Sequence, residues 1–248
     1  MEIRKKLKIY PSASGFMLGS GVIAEYNSAC PRYIVISKEA KQKDIDPIYK
    51  QLGVFHEDWY ASQLGTDLEE RERPITFEIE NNVWYSGRCD FQTKSGEIHE
   101  TKASLSKNFL YSVINKGKYK TSHLAQLVSY MIQFKRTKGK IICGFYKKKD
   151  ETFEQIKTRI FEVGINPEGR ILVDNLDSGY SVQDQLGHLK LVAEILISEE
   201  IKDRPINHID FSGPCFFCGL KNLCKSYDNG SIGTAELKVE GKKVLNNT

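Results

Sequence analysis

Residues 83–103 read VWYSGRCDFQTKSGEIHETKA. The run 83–91 has the residue types of a strand. Thr93-Lys94-Ser95-Gly96 supplies turn chemistry, and 97–103 (EIHETKA) returns as a second strand. This predicts a hairpin with Asp90 ending its first arm and Glu100-Thr101-Lys102 in its second. Side chains alternate along a strand, so Glu100 and Lys102 point one way and Thr101 the other. The hairpin brings Asp90 near Glu100, and two close carboxylates repel unless a cation sits between them. Mg²⁺ and Mn²⁺ prefer oxygen ligands of this kind. Taken alone, the spacing D-x9-E-x-K is also what the surface residues of an ordinary hairpin look like.

Working outward, residues 51–70 carry Leu52, Phe55 and Trp59 at helical spacing. Residues 75–80 (ITFEIE) read as a strand that precedes the hairpin. Residues 121–135 read as a helix, and 140–147 (KIICGFYK) as a strong strand. Further strands are expected near 156–163 and 170–174, and a helix over 181–201. The order is helix, three strands, helix, strand, which predicts one α/β domain with a mixed central sheet. The expected organisation is an N-terminal arm over 1–50 with Pro11, Pro31 and Pro47 as breakers, and a core over 51–175. A C-terminal helix and cysteine region over 176–226 and a flexible tail over 227–248 follow.

The chain has 248 residues, 40% hydrophobic and 27% charged, with a formal net charge of +4. This is the composition of a globular protein, mildly basic and compatible with nucleic acid. Lys135, Arg136, Lys138 and Lys140 form one basic run and Lys147, Lys148 and Lys149 another, each also readable as a solvated edge. No apolar run is long enough to cross a bilayer. The opening MEIRKKLKIYPSASGF lacks the apolar stretch of a secretory signal, so a cytoplasmic protein with no membrane partner is expected.

Three cysteines, Cys215, Cys218 and Cys224, are close enough in sequence to wrap one metal centre, and Cys30 supplies a fourth thiolate if the chain ends meet. Zinc and a [4Fe–4S] cluster both accept four sulfurs, and spacing alone does not separate them. Cys89 and Cys143 sit in apolar contexts and read as small core residues. His56 lies within the first helix, where a lone histidine is more often a packing residue. Gln126 and Tyr130 are four apart and share a helix face. They form either a hydrogen-bonding pair for a phosphate or the polar side of an amphipathic helix.

In this order, Gly53-x-x-His56, Gly87-Arg88-Cys89-Asp90-Phe91, Glu100-Thr101-Lys102 and Gln126-x-x-x-Tyr130 resemble the motifs of the RecB-like PD-(D/E)XK nucleases. With Cys30-Pro31-Arg32 and the late cysteine triplet, the set resembles the iron-sulfur exonucleases of CRISPR adaptation and the nuclease domain of AddB. The resemblance spans residues 30 to 224. It implies a restriction-endonuclease-like sheet flanked by helices, with an iron-sulfur subdomain joining the two ends of the chain. It implies His56, Asp90, Glu100 and the Thr101 carbonyl as ligands of Mn²⁺ or Mg²⁺, Lys102 as the catalytic lysine, and Gln126 and Tyr130 as DNA contacts. Cys30, Cys215, Cys218 and Cys224 become ligands of a [4Fe–4S] cluster.

The implied activity is hydrolysis of single-stranded DNA ends, in CRISPR adaptation or in viral or mobile-element DNA processing. An integrase, helicase or recombination protein is the class of partner. Two other readings stand beside it. One is a non-catalytic DNA-binding or assembly subunit that keeps the fold and cluster; the other is a zinc-binding regulator with a coincidental E-x-K.

Overall fold

The structure, a computed structural model, describes residues 9–12, 15–19, 35, 46–80, 83–198 and 221–247. The chain divides into two compact units: Met1–Lys43, Thr76–Ser86 and Gly187–Thr248 form one, Asp44–Ile75 and Gly87–Leu186 the other.

In the first unit, β1 (Ile9–Ser12) pairs antiparallel with β2 (Gly15–Gly19). β2 runs parallel to residues 83–86, and the rings of Phe77 and Tyr85 stack at 4.7 Å. Near the end of the chain a helix spans Lys221–Asp228 and another Thr234–Asn247. The second of these occupies most of the stretch expected to be a flexible tail. Its Leu237 is fully buried, which gives that helix an apolar anchor the polar composition concealed.

The second unit begins with α1 (Pro47–Leu64). The Asp46 carboxylate caps the helix by accepting the Ile48 N–H at 3.0 Å. Pro47 occupies the first turn, where proline's missing N–H costs nothing. Pro47, expected as a breaker in the N-terminal arm, therefore starts this helix, and Gly65, at φ +50°, ends it earlier than the expected boundary at residue 70. Then come β3 (Leu68–Glu80), which belongs to this unit as far as Ile75, and the hairpin of β4 (Val83–Thr93), which belongs to it from Gly87, with β5 (Ile98–Ser104). A short helical stretch follows, α2 (Lys107–Phe109), running into a π-helical turn at Leu110–Asn115. After it come α3 (Thr121–Gln133), β6 (Lys138–Lys149), β7 (Thr152–Ile165), β8 (Arg170–Val173) and β9 (Leu176–Ser181). The start of α4 (Val182–Ser198) closes the unit.

Seven strands, β3 to β9, contribute to a mixed sheet. β5 and β6 are parallel, with Glu100 beside Ile141 and Lys102 beside Cys143. The α2–α3 segment makes the crossover that parallel neighbours require. Antiparallel pairings carry the sheet on through β7, β8 and β9. The N-terminal part of β3, Leu68–Pro74, carries no strand signal in the sequence, since LEERERP shows no two-residue alternation of apolar and polar residues.

The parity of β6 assigns the two helices to opposite faces. A Cβ added to Gly139 would meet Met131 Sδ at 3.0 Å and Leu127 Cδ1 at 3.2 Å, both on α3. One added to Gly144 would meet His56 on α1. Odd positions of β6 therefore face α3 and even positions face α1. On the α1 side, Leu52, Tyr146 and Phe153 form one apolar cluster, and Tyr60, Phe91 and Ile142 another. On the α3 side, Leu124, Leu127, Val128 and Met131 are buried. A polar brace fixes α3 further: Gln185 Nε2 donates to Ser129 Oγ at 2.7 Å, and that hydroxyl donates to the Ala125 carbonyl at 2.9 Å.

Candidate active site

Because β5 lies in parallel register with β6, Glu100 and Lys102 share the face of Ile141 and Cys143, the one covered by α3. Glu100 is completely buried. Its Oε1 accepts from Lys102 Nζ. Its Oε2 is buried and has no hydrogen-bond partner among the described residues. Burial first, and the charge of Asp90 second, push the Glu100 carboxyl up to about 8. The Lys102 side chain is about a quarter exposed (26%). Burial works against its charge, but Glu100 and Asp90 outweigh burial and hold the ammonium above its ordinary pKa.

Asp90 sits where the hairpin ladder stops. Pairing joins Gln92 with Ile98 and Phe91 with His99, and goes no further toward Asp90. Beyond that point the side chain replaces the ladder: Asp90 Oδ2 accepts the Thr101 N–H at 2.7 Å and the Thr101 hydroxyl at 2.8 Å. The hairpin thus brings Asp90, Glu100, Thr101 and Lys102 together.

His56 arrives from the other face. It is 1% exposed, and both ring nitrogens are occupied. Nε2 lies 3.2 Å from the Ile142 carbonyl, which fixes it as the donor, and Nδ1 accepts from Tyr146 Oη at 2.7 Å. Trp59 stacks on the ring at 5.5 Å. Burial depresses the imidazole pKa against the opposing pull of Ile142 and Asp90, so the ring is neutral. In this arrangement His56 braces α1 against β6 and offers no lone pair to a cation. The next residue along α1, Glu57, senses the site's charge directly. Its carboxyl is raised by burial and then by Asp90, while Arg71 at 3.2 Å opposes the shift.

On α3, Gln126 Nε2 donates to Tyr130 Oη at 3.2 Å. Tyr130 is fully buried and Gln126 half-buried, so of the pair only the amide has access to a strand lying outside. One turn earlier, His123 carries a buried Nδ1 with no partner among the described residues. Burial, then Lys102 and Lys120, lower its pKa to about 3. His123, Glu57 and Tyr146 were not anticipated. Nothing in their local sequence marks them, since each acquires its role from a partner on another element.

Among the described residues no group of three or more His, Cys, Asp or Glu side chains is gathered tightly enough to hold a metal ion. The donor chemistry does fit a hard divalent cation: two carboxylates coupled by charge, one with a buried oxygen unpartnered among the described residues and a raised pKa, and a third carboxylate coupled to them. Cys30, Cys215 and Cys218 lie outside the described residues. Cys224 is buried on the helix Lys221–Asp228. Cys89 and Cys143 are buried, and burial raises both thiols to about 12, which keeps them protonated.

No protein family matches the chain by sequence, and neither does any curated protein. Solved structures do match. An alkaline exonuclease from Laribacter hongkongensis is similar with a TM-score of 0.50 and 10% identity, over 74% of this chain and 89% of its own. Its complex with dAMP is similar with a TM-score of 0.50 and 10% identity, over 73% and 88%. A phage related exonuclease from Haemophilus somnus has a TM-score of 0.42 and 16% identity, over 64% and 76%, too loose a likeness to carry an argument. At these identities the likeness is one of fold. The chain has a mixed α/β fold, with a seven-strand mixed sheet flanked by helices, like its nuclease neighbours. No helix among the described residues is long and apolar enough to cross a membrane.

Proposed function

We propose that this protein is a divalent-metal-dependent deoxyribonuclease that hydrolyses phosphodiester bonds at single-stranded DNA ends. The observation that carries the proposal is the Asp90–Glu100–Lys102 group. A buried carboxylate with one unpartnered oxygen, raised by a second carboxylate and touching an ammonium, is costly unless a cation is to be bound there. The fold shared with the alkaline exonuclease, and that protein's binding of dAMP, support the same reading.

Asp90 and Glu100 would hold Mg²⁺ or Mn²⁺, with the Thr101 carbonyl beside them and Glu57 coupled to the same charge. Such an ion lowers the pKa of its water and polarises the phosphate. Lys102, kept charged by two carboxylates, donates from Nζ to orient the attacking water or to stabilise charge on the phosphate. An ammonium held in that state is not a proton acceptor. Asp90 also fixes the Thr101 backbone through its two accepted hydrogen bonds. His56 would join the ligand set only by giving up Ile142 and Tyr146. Gln126, with its amide oriented by Tyr130, would contact the strand. The [4Fe–4S] cluster on Cys30, Cys215, Cys218 and Cys224 is proposed from sequence spacing and resemblance, as are its structural role and a setting in CRISPR adaptation or mobile-element DNA processing.

The test is incubation of anaerobically purified protein with end-labelled single- and double-stranded DNA and Mn²⁺. Cleavage by the wild type that is lost in Glu100→Gln and Lys102→Gln, both still folded, is the expected result. DNA binding without cleavage by the wild type would overturn the nuclease in favour of a binding subunit.

A further inference from the structure

At the start of β5 and β6 the chain encloses a polar depression of about 250 Å³, walled by the turn Ser95–Glu97 and by the loop 135–138 that leaves α3. Two backbone features shape it. Lys135 takes φ +55°, with its N–H on Ile132 O at 3.1 Å and the Arg136 N–H on Met131 O at 2.8 Å. This is the left-handed position at which helices ordinarily end in glycine, so the site carries a charged side chain at the expense of backbone strain. Gly96, at φ +83°, stands opposite. A Cβ there would lie 2.8 Å from Arg136 Cζ, so glycine is what lets the guanidinium lie against the turn.

The charge of the depression is unbalanced. Among the described residues that line it, the one carboxylate is Glu97. It is already engaged by His99 at 3.2 Å and Lys140 at 3.6 Å, and Lys140 also reaches Glu162 at 3.4 Å. Lys135, Arg136 and Lys138 are exposed and have no ion-pair partner among the described residues. The carbonyl end of α3 presents roughly half a negative charge, which leaves most of three positive charges unanswered around a concave polar space. A multiply charged anion suits such a site, and arginine's fork suits phosphate in particular.

Glu97 precedes Glu100 by three residues, about 10 Å of strand. We propose that this depression binds a backbone phosphate of the DNA strand flanking the one that reacts, anchoring the strand along β5. The identity of the ligand rests on the nuclease reading; the anion site itself does not.

The experiment is fluorescence-anisotropy binding of a labelled single-stranded oligonucleotide in EDTA, repeated across salt concentrations. Arg136→Gln and the double variant Lys135→Gln/Lys138→Gln should each weaken binding about tenfold at low salt. They should also flatten the plot of log K against log salt, by about 0.7 for each phosphate that is no longer neutralised. Lys135→Gly relieves the left-handed strain, so it should raise the melting temperature while still weakening binding. A merely structural lysine would not produce that combination. Lys148→Gln, at the far end of β6, should leave the slope unchanged. Unchanged slopes in folded depression variants would overturn the proposal, as would an equal loss in Lys148→Gln. Cleavage is scored separately. A wild type that binds through these residues but does not cut refutes the nuclease alone; one that cuts but binds identically in the variants refutes the depression alone.

Discussion

Asp90 is bonded to the residue that separates Glu100 from Lys102: its Oδ2 accepts both the backbone N–H and the hydroxyl of Thr101. One carboxylate oxygen thus holds β5 in place where the hairpin ladder has ended. The other is left for the site.

This double role separates two substitutions. Asp90→Asn keeps an oxygen that can accept from Thr101, so it should fold normally and lose cleavage. Asp90→Ala should lose cleavage and also about 1–3 kcal/mol of stability, because the buried Thr101 donors are left unpaired. Urea denaturation midpoints beside cleavage rates check both. Equal stability of the two variants would mean that the Thr101 hydrogen bonds contribute nothing.

Glu100 makes stability depend on pH. An unfolded glutamate titrates near 4.3, whereas burial and Asp90 raise the folded group to about 8. The folded state therefore holds a proton that the unfolded state releases. The resulting stabilisation is complete below about pH 4 and is lost as pH rises through about 8, at no more than about 1.4 kcal/mol per unit. In metal-free buffer the wild type should lose stability relative to Glu100→Gln between pH 6 and 9. Mn²⁺ should restore the wild type only. Parallel curves for the two proteins would show that the carboxyl is not raised.

Gly144 gives His56 its space. Alanine there would set a Cβ 2.7 Å from His56 Cε1 and 2.6 Å from Tyr146 Cε2, and neither ring has room to retreat. Gly144→Ala should cost about 1–3 kcal/mol by overpacking. Tyr146→Phe, which removes only the partner of Nδ1, should cost about 1 kcal/mol. Thermal melts of the two variants test the brace; a Gly144→Ala protein as stable as the wild type would rule it out.

Gln126→Ala should lower DNA affinity severalfold with little change in melting temperature, since its amide is half-buried. Tyr130→Phe should act in the same direction by leaving that amide unoriented. If both change only the melting temperature, α3 is a structural helix and nothing more.

Protein purified without oxygen should be brown and contain iron and acid-labile sulfide. Serine at Cys30, Cys215, Cys218 or Cys224 should remove both, because oxygen is a poor ligand for iron-sulfur clusters. Cys89→Ser and Cys143→Ser should keep the iron, since both thiols are buried in the core and protonated. Stoichiometric zinc in a colourless protein would reject the cluster and leave the nuclease proposal standing.

The hairpin that joins Asp90 to Glu100 and Lys102 was legible because its determinants are local. Strand alternation, a Lys-Ser-Gly turn and a two-residue spacing place those side chains whatever the rest of the chain does. The helix 121–133 was legible through its apolar periodicity, and the strand 138–149 through the apolar run within KIICGFYK. The face from which each partner arrives was not. His56 and Gln126 read as members of one site, yet the parallel register of β5 and β6 puts Glu100 and Lys102 on the α3 side and His56 on the α1 side, bonded to Ile142 and Tyr146. A sequence motif records order along the chain, whereas face and distance depend on strand register. The raised carboxyl of Glu100, the neutral His123 and the cations around Gly96 that have no ion-pair partner among the described residues are likewise tertiary properties, because burial and unshared charge arise only when distant segments exclude water together.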